Sequence, residues 1–180
     1  MKFNTLVLGE YAFRETIQSL VPKAIREPNS TTKIIVRAED NVPSSELVTP
    51  HSSHMLGDVC NLLWEAAKLS QNEPLLISSV KGFLRITKPI SFEKGITVIC
   101  DESTYAGFRF DVTGAVVQSG ELPGNAAFCL FYGKTSDFVE AAEKVILAGK
   151  TTNGIYALGT VINQGILDNK RLRVLTFGGA

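Results

Sequence analysis

The sequence predicts an α+β (mixed α/β) fold, with a mixed or largely antiparallel β-sheet and two to three packed helices. Three observations lead there. Residues 127–133, AFCLFYG, form an apolar run of strand length, and TSDFVEAAEKVILA follows with apolar residues at helical spacing. Phe108, Phe110 and Val112 alternate with Arg109 and Asp111, the pattern of a sheet with one wet face. Several further short apolar runs fill the second half, separated by turn-forming residues. A chain of 180 residues fits a single compact domain over 1–180, with any subdivision near 70–74.

In chain order, Phe3 to Leu8 reads as a strand closed by Gly9. Phe13, Ile17, Leu20, Val21, Ala24 and Ile25 then mark one helical face, interrupted at Pro22, where a missing N–H forces a kink or a stop. KIIVRA (33–38) is the next strand. The stretch EDNVPSSELVTPHSS (39–53) reads as the longest loop, and loops of that length are often functional. A second helix is expected from Met55 to Leu69, burying Leu56, Val59, Leu62, Leu63 and Ala66, with Trp64 off the buried stripe. LLISSV, FLRIT, ITVIC, FRFDV and GAVVQ follow as strands, and GELPGN as a turn.

The expected helix at 136–148 carries its own boundaries. Thr135 or Ser136 can cap it, Asp137 lies in the first turn, and Gly149 and Lys150 close it. Phe138, Val139, Ala142, Val145 and Ile146 share the face turned to the sheet. GIYALGTVI (154–162) then reads as a buried strand, and RLRVLTF (171–177) as a terminal strand at a sheet edge.

Lysine plus arginine equals aspartate plus glutamate at 18 each, so no basic excess is present to neutralise a nucleic-acid backbone. Cys60, Cys100 and Cys129 each sit in an apolar stretch and read as buried free thiols of a reducing compartment. The opening MKFNTLVLGEYAF is a strand pattern rather than a leader or a membrane span. A cytoplasmic location without membrane or nucleic-acid partners follows.

The sharpest local signal is Gly133-Lys134-Thr135 between a strand and a helix. A phosphate-binding P-loop would need glycine at position 128, which is Phe128, inside a strand pattern. What remains is a simpler anion site for a small, nucleotide-like ligand, built on Gly133, Lys134, Thr135 and Ser136 at a helix start. The plain alternative is a tight turn at Gly133 and a cap at Thr135. A second candidate is Asp101 with Glu102, an acidic pair at the end of an apolar strand, suited to a metal or to general-base work. His51, His54 and Cys60 are spaced as in no zinc site, and G-x-S-x-G, C-x-x-C and H-E-x-x-H are absent. No cofactor is expected.

FCLFYGKTSDFVEAAEKVILAG followed by GIYALGTVI resembles the strand–helix–strand end of bacterial microcompartment shell domains. That resemblance implies an oligomeric tile without chemistry of its own. The terminal Gly178-Gly179-Ala180 resembles the tail of ubiquitin-like modifiers over three residues and reads as a frayed end.

The expected function is therefore non-catalytic: an interaction or assembly protein acting through self-association, most simply as a two-fold homo-oligomer, or through a bound partner. Binding of a small anionic ligand is one alternative, and a metal-dependent hydrolase using Asp101 and Glu102 is the other.

Overall fold

The computed structural model describes residues 4–8, 31–37, 48–51, 66–69, 71–79, 85, 95–119, 130–151, 154 and 156–178. Nine strands are assigned among these: β1 (Asn4–Leu8), β2 (Thr31–Arg37), β3 (Val48–His51), β4 (Pro74–Ser79), β5 (Ile96–Cys100), β6 (Phe108–Phe110), β7 (Val116–Ser119), β8 (Leu130–Lys134) and β9 (Leu172–Thr176). Three helices join them: α1 (Glu102–Tyr105), α2 (Thr135–Leu147) and α3 (Leu158–Leu167).

Seven of the strands form one sheet in the order β3-β2-β1-β4-β8-β5-β9. The sheet is mixed, as the sequence predicts. Its β1–β2, β1–β4, β2–β3 and β5–β9 pairings are parallel, and only β8 runs against its neighbours β4 and β5. A strand in the middle of such a sheet is covered on both faces, which is why all five residues of β5, ITVIC, are buried, Thr97 among them. The core gathers Leu75, Ile77, Ile96, Val98 and Phe131 of the sheet against Phe138, Ala142 and Val145 of α2 and Val161 and Ile162 of α3.

Helix α2 occupies the predicted span, and its end is closed as expected. Gly149, at φ 61°, lets Lys150 N–H reach the Val145 carbonyl and its own N–H reach Ile146. Its start differs from the expectation. Lys134 holds the cap position without a side-chain bond, so neither Thr135 nor Ser136 caps the helix.

The segment 154–162, expected as a strand, is the approach to α3 and its first half. Helix α3 has six of its ten residues buried, Gln164 among them, so it lacks the polar stripe that reveals a surface helix. Gly165 makes that burial sterically feasible, since a Cβ there would lie 2.9 Å from Ile96 Cδ1. The strand–helix–strand unit behind the shell-domain resemblance is therefore strand–helix–helix–strand.

α2 and α3 lie antiparallel, tied by a polar ladder. Lys170 Nζ meets Asp137 Oδ1 at 2.7 Å, Lys144 Nζ meets Asp168 Oδ1 at 2.8 Å, and Lys150 Nζ donates to Gln164 Oε1 at 3.0 Å. The Lys144 ammonium, aided by Gln164, holds the Asp168 carboxyl below its ordinary range.

Strands β6 and β7 form a separate antiparallel hairpin, where FRFDV and GAVVQ predicted strands. Asp111 Oδ1 closes it by accepting from Thr113 N–H at 2.8 Å, the Thr113 hydroxyl at 2.6 Å and Ala115 N–H at 3.0 Å. β9 stands at one sheet edge, as expected of RLRVLTF. At the other edge is β3, within the stretch read as a loop. Pro50 pairs there opposite Val36, and an edge is where a strand accommodates proline.

The helix expected near 13–25, residues 55–65 with Trp64 and Cys60, His54, Cys129 and most of FLRIT lie outside the described residues. Of the expected second helix, Ala66 and Leu69 close a turn through Leu69 N–H and the Ala66 carbonyl, to which the Gln71 amide also donates at 3.0 Å. Among the described residues no helix is long and apolar enough to cross a membrane.

Candidate functional site

Strand direction divides the sheet into two functionally different edges. Parallel strands β1, β4, β5 and β9 all leave the sheet on one side, at Leu8, Ser79, Cys100 and Thr176. The chain steps from β1 to β2 and β3 in one direction, then returns to place β4 on the other flank of β1. Strand order thus reverses between β1 and β4. In open α/β sheets a ligand crevice forms outside the carboxyl ends of the strands at such a reversal. The segments leaving Leu8 and Ser79 lie outside the described residues.

The two sequence-predicted candidates fall on opposite edges. Asp101 and Glu102 follow β5 and stand on the carboxyl edge. Gly133 to Ser136 close β8, which runs the other way, so they stand on the far edge beside Pro74, the pairing partner of Lys134. Five residues of β8 separate the edges, about 14 Å at 3.4 Å per residue. The structure does not bring the two candidates together.

On the far edge, the helix start is already joined to protein. Thr135 is wholly buried, and both its N–H, at 3.0 Å, and its hydroxyl, at 2.7 Å, donate to the Glu73 carbonyl. Ser136 N–H donates to the Gln71 carbonyl at 3.1 Å. Two of the N–H groups that an anion would use are thus occupied by the 71–73 segment. Gly133 is there for space, since a Cβ would lie 3.0 Å from the Gly95 carbonyl oxygen and 3.2 Å from the Phe138 ring. Lys134 is exposed.

On the carboxyl edge, Asp101 is the N-cap of α1. Its Oδ1 accepts from Thr104 N–H at 2.8 Å and from the Ser103 hydroxyl at 3.0 Å. Hydrogen bonds from Thr104, side chain first and then amide, hold its carboxyl below the usual range against a partial desolvation. Arg85 adds a longer ion pair, Nη1 to Oδ2 at 3.9 Å, and its guanidinium lies over the Phe177 ring, 5.7 Å from the centroid. Phe177 is fixed in turn by its N–H on the Cys100 carbonyl at 3.1 Å. Glu102 is exposed. Among the described residues no group of three or more His, Cys, Asp or Glu could hold a metal ion. His51 ends β3, paired with Arg37.

Arg85 and Phe177 were not singled out by sequence reasoning. Arg85 lies in FLRIT and Phe177 in RLRVLTF, and nothing local to either run shows that Arg85 reaches both Asp101 and the Phe177 ring.

No family model matches the chain, and no curated protein matches it in sequence. Solved structures do match it, over nearly its whole length. A nucleoside-diphosphate-sugar pyrophosphorylase from Vibrio cholerae RC9 superposes with a TM-score of 0.58 at 12% identity, over 97% of this chain and 91% of that one. A 4-diphosphocytidyl-2C-methyl-D-erythritol synthase from Anaerococcus prevotii DSM 20548 gives 0.53 at 9% identity, over 99% and 90%. A glucose-1-phosphate thymidylyltransferase from Bacillus anthracis gives 0.54 at 11% identity, over 100% and 88%. At such identities the likeness shows the fold.

That fold corrects the functional expectation. A chain superposing end to end on nucleotidyltransferase structures is framed as they are, not as a shell tile. Of the acidic pair, Asp101 is engaged as the cap of α1 and Glu102 stands exposed, and the described residues add no third ligand to them. The non-catalytic assembly reading is overturned by that likeness, since the structures sharing the fold are named as a pyrophosphorylase, a synthase and a thymidylyltransferase.

Proposed function

We propose that this chain is a nucleotide-binding enzyme that transfers a nucleotidyl group from a nucleoside triphosphate to a small phosphorylated acceptor. The observation that carries the reading is the strand-order reversal between β1 and β4, set in a fold shared with pyrophosphorylase and thymidylyltransferase structures. The nucleotide would lie outside Leu8 and Ser79. An acceptor phosphate oxygen attacks the α-phosphorus, the bond to the bridging oxygen breaks, and pyrophosphate leaves with the electron pair. The chain's part is to hold the two substrates in line along one edge of a rigid sheet.

Titrating ATP, GTP, CTP, UTP and dTTP in a thermal-shift assay tests the reading. A bound nucleotide at one hundred times its Kd adds about 2.7 kcal/mol of stability, which is a clear rise in melting temperature. Pyrophosphate release with a sugar phosphate, followed by 31P NMR, tests the transfer step. A flat response to all five nucleotides at millimolar concentration overturns the proposal.

A cytoplasmic homo-oligomer is compatible with this reading, and edge strand β9 is the surface we propose for the self-contact. A native mass near that of the 19.5 kDa chain at tens of micromolar would refute the oligomer alone.

A further inference from the structure

We propose that the outer edge of β6 is a self-docking surface, pairing antiparallel with β6 of a second copy about a two-fold axis through Phe110. The inference is independent of the nucleotidyl-transfer reading and adds a contact to the one at β9.

An open edge is the first support. β6 and β7 form a sheet of their own, and among the described residues no strand pairs with β6 on its other side. Asp111 N–H donates to the Ala115 carbonyl at 2.9 Å, with Phe110 opposite Val116. Ladder groups alternate, so Asp111 turns its N–H to β7 while the Phe110 N–H and carbonyl turn away from it. A two-stranded ribbon is marginal by itself in water, and unpaired edge groups are a template for another strand.

The side chains at that edge are the second. Phe110 is 37% exposed and Tyr105 36%, their ring centroids 5.3 Å apart, and Val112 beyond them is fully exposed. With the axis through Phe110, its ring meets the same ring of the second copy, and the two Tyr105 rings flank the pair.

Charge selects both the occupant and the register. When Phe110 stands opposite itself, Arg109 falls opposite Asp111 of the second copy, and Asp111 opposite its Arg109. These are positions without ladder bonds, where facing side chains stand closest. Arg109 and Asp111 are both exposed, and Arg109 makes no ion pair among the described residues. Asp111 engages Oδ1 in its own turn, which leaves Oδ2 for an incoming guanidinium. The Thr113 hydrogen bonds in that turn hold its carboxyl below the usual range, so the charge is present at neutral pH. Moving the axis one residue either way would set Arg109 against Arg109 or Asp111 against Asp111, which is unfavourable. The edge is therefore complementary to a copy of itself in one register. Its three residues make a short ladder, so the contact belongs to the weak, concentration-dependent class.

The test is sedimentation of the full chain from tens to hundreds of micromolar, where the dimer fraction should rise. Arg109→Glu sets carboxylate against carboxylate and is expected to weaken the dimer at least about tenfold, while Arg109→Lys stays within about threefold of wild type. Phe110→Cys places two thiols across the axis with Cα atoms about 5.5 Å apart, so mild oxidation should cross-link that variant well above the wild-type background. Val112→Cys, about 14 Å from its counterpart in this register, should stay at background. Circular dichroism confirms that each variant is folded. A chain that is monomeric at tens of micromolar and dimerises at hundreds through Arg109 supports the inference and removes the β9 contact. A dimer that ignores Arg109→Glu and does not cross-link through Phe110→Cys overturns the inference and leaves the β9 contact standing. A monomeric mass at hundreds of micromolar overturns both.

Discussion

Lys170 and Asp137 meet at 2.7 Å across the two long helices, so the third residue beyond the end of α3 is bonded to the first turn of α2. The Lys170 ammonium is about one-third exposed and also approaches Glu140 at 4.0 Å. The hydrogen bond to Asp137, reinforced by the surrounding carboxylates, raises the lysine above its ordinary 10.5.

A lysine whose folded pKa is raised stabilises the fold fully below its unfolded pKa, and that contribution disappears as pH climbs through the folded value. Lys170→Met should therefore cost about 0.5–1 kcal/mol at neutral pH, the ordinary range for a partly exposed pair. Urea denaturation of wild type and variant should converge as pH rises past 10.5. A gap that stays constant through that window would show the pair to contribute nothing by charge.

Among the described residues, Gly95 is the glycine the fold can least replace. Its φ is +105°, and a Cβ there would lie 2.3 Å from the Arg171 carbonyl oxygen, which accepts from Ile96 N–H at 2.8 Å. Gly95→Ala combines backbone strain with displacement of the β5–β9 junction, and about 3 kcal/mol of destabilisation is expected. Gly165→Ala should be far milder, because the obstacle is the mobile end of Ile96 and alanine favours a helix by about 1 kcal/mol. Equal melting temperatures for the two variants would contradict this account.

Thr135→Val removes a buried hydroxyl from the Glu73 carbonyl while leaving the backbone bond to the same oxygen. A loss of about 1 kcal/mol is expected in chemical denaturation. Lys134→Ala, at an exposed position, should change stability by less than about 0.5 kcal/mol. Phosphate affinity, followed by NMR, should be indifferent to the lysine. A clear drop would instead make the far edge a ligand site.

Asp101→Ala removes the cap of α1 and should cost about 1 kcal/mol, whereas Asp101→Asn should retain most of it. Because its folded pKa is depressed, the stabilisation of the ionised form is present above 3.8 and is lost as pH falls through the folded value. Equal acid-denaturation profiles for Asp101→Asn and wild type would contradict that charge effect.

The parts read correctly from sequence are those whose signal is local. The strand and helix at 130–147 carry a strand-length apolar run, a helical stripe and a terminal glycine within one short stretch. The hairpin at 108–119 shows alternation on either side of Asp111 and Gly114. Helix α3 was misread because Tyr156, Val161 and Ile162 are typical strand residues and Gly159 and Gly165 weaken a helix signal, while burial removes the polar stripe. Strand β3 was misread because Pro50 argues against a strand unless the edge position is already known. The reversal between β1 and β4 depends on pairing Leu8 with Ser79, residues far apart in the chain, and no local pattern encodes that. For the same reason Asp101 and Glu102 could be noticed but not placed, and Arg85 was hidden inside an apolar run.

The antiparallel strand also sets the order in which this sheet can be completed during synthesis. β8 is made after β4 and β5 yet sits between them. Until residue 134 has emerged from the ribosome, β4 and β5 each lack their β8 neighbour, and their unpaired backbone groups face a gap one strand wide. A nascent chain stalled before that point carries two adhesive edges at once. Chaperone engagement should peak there and fall when LFYGK slots in and α2 closes over it.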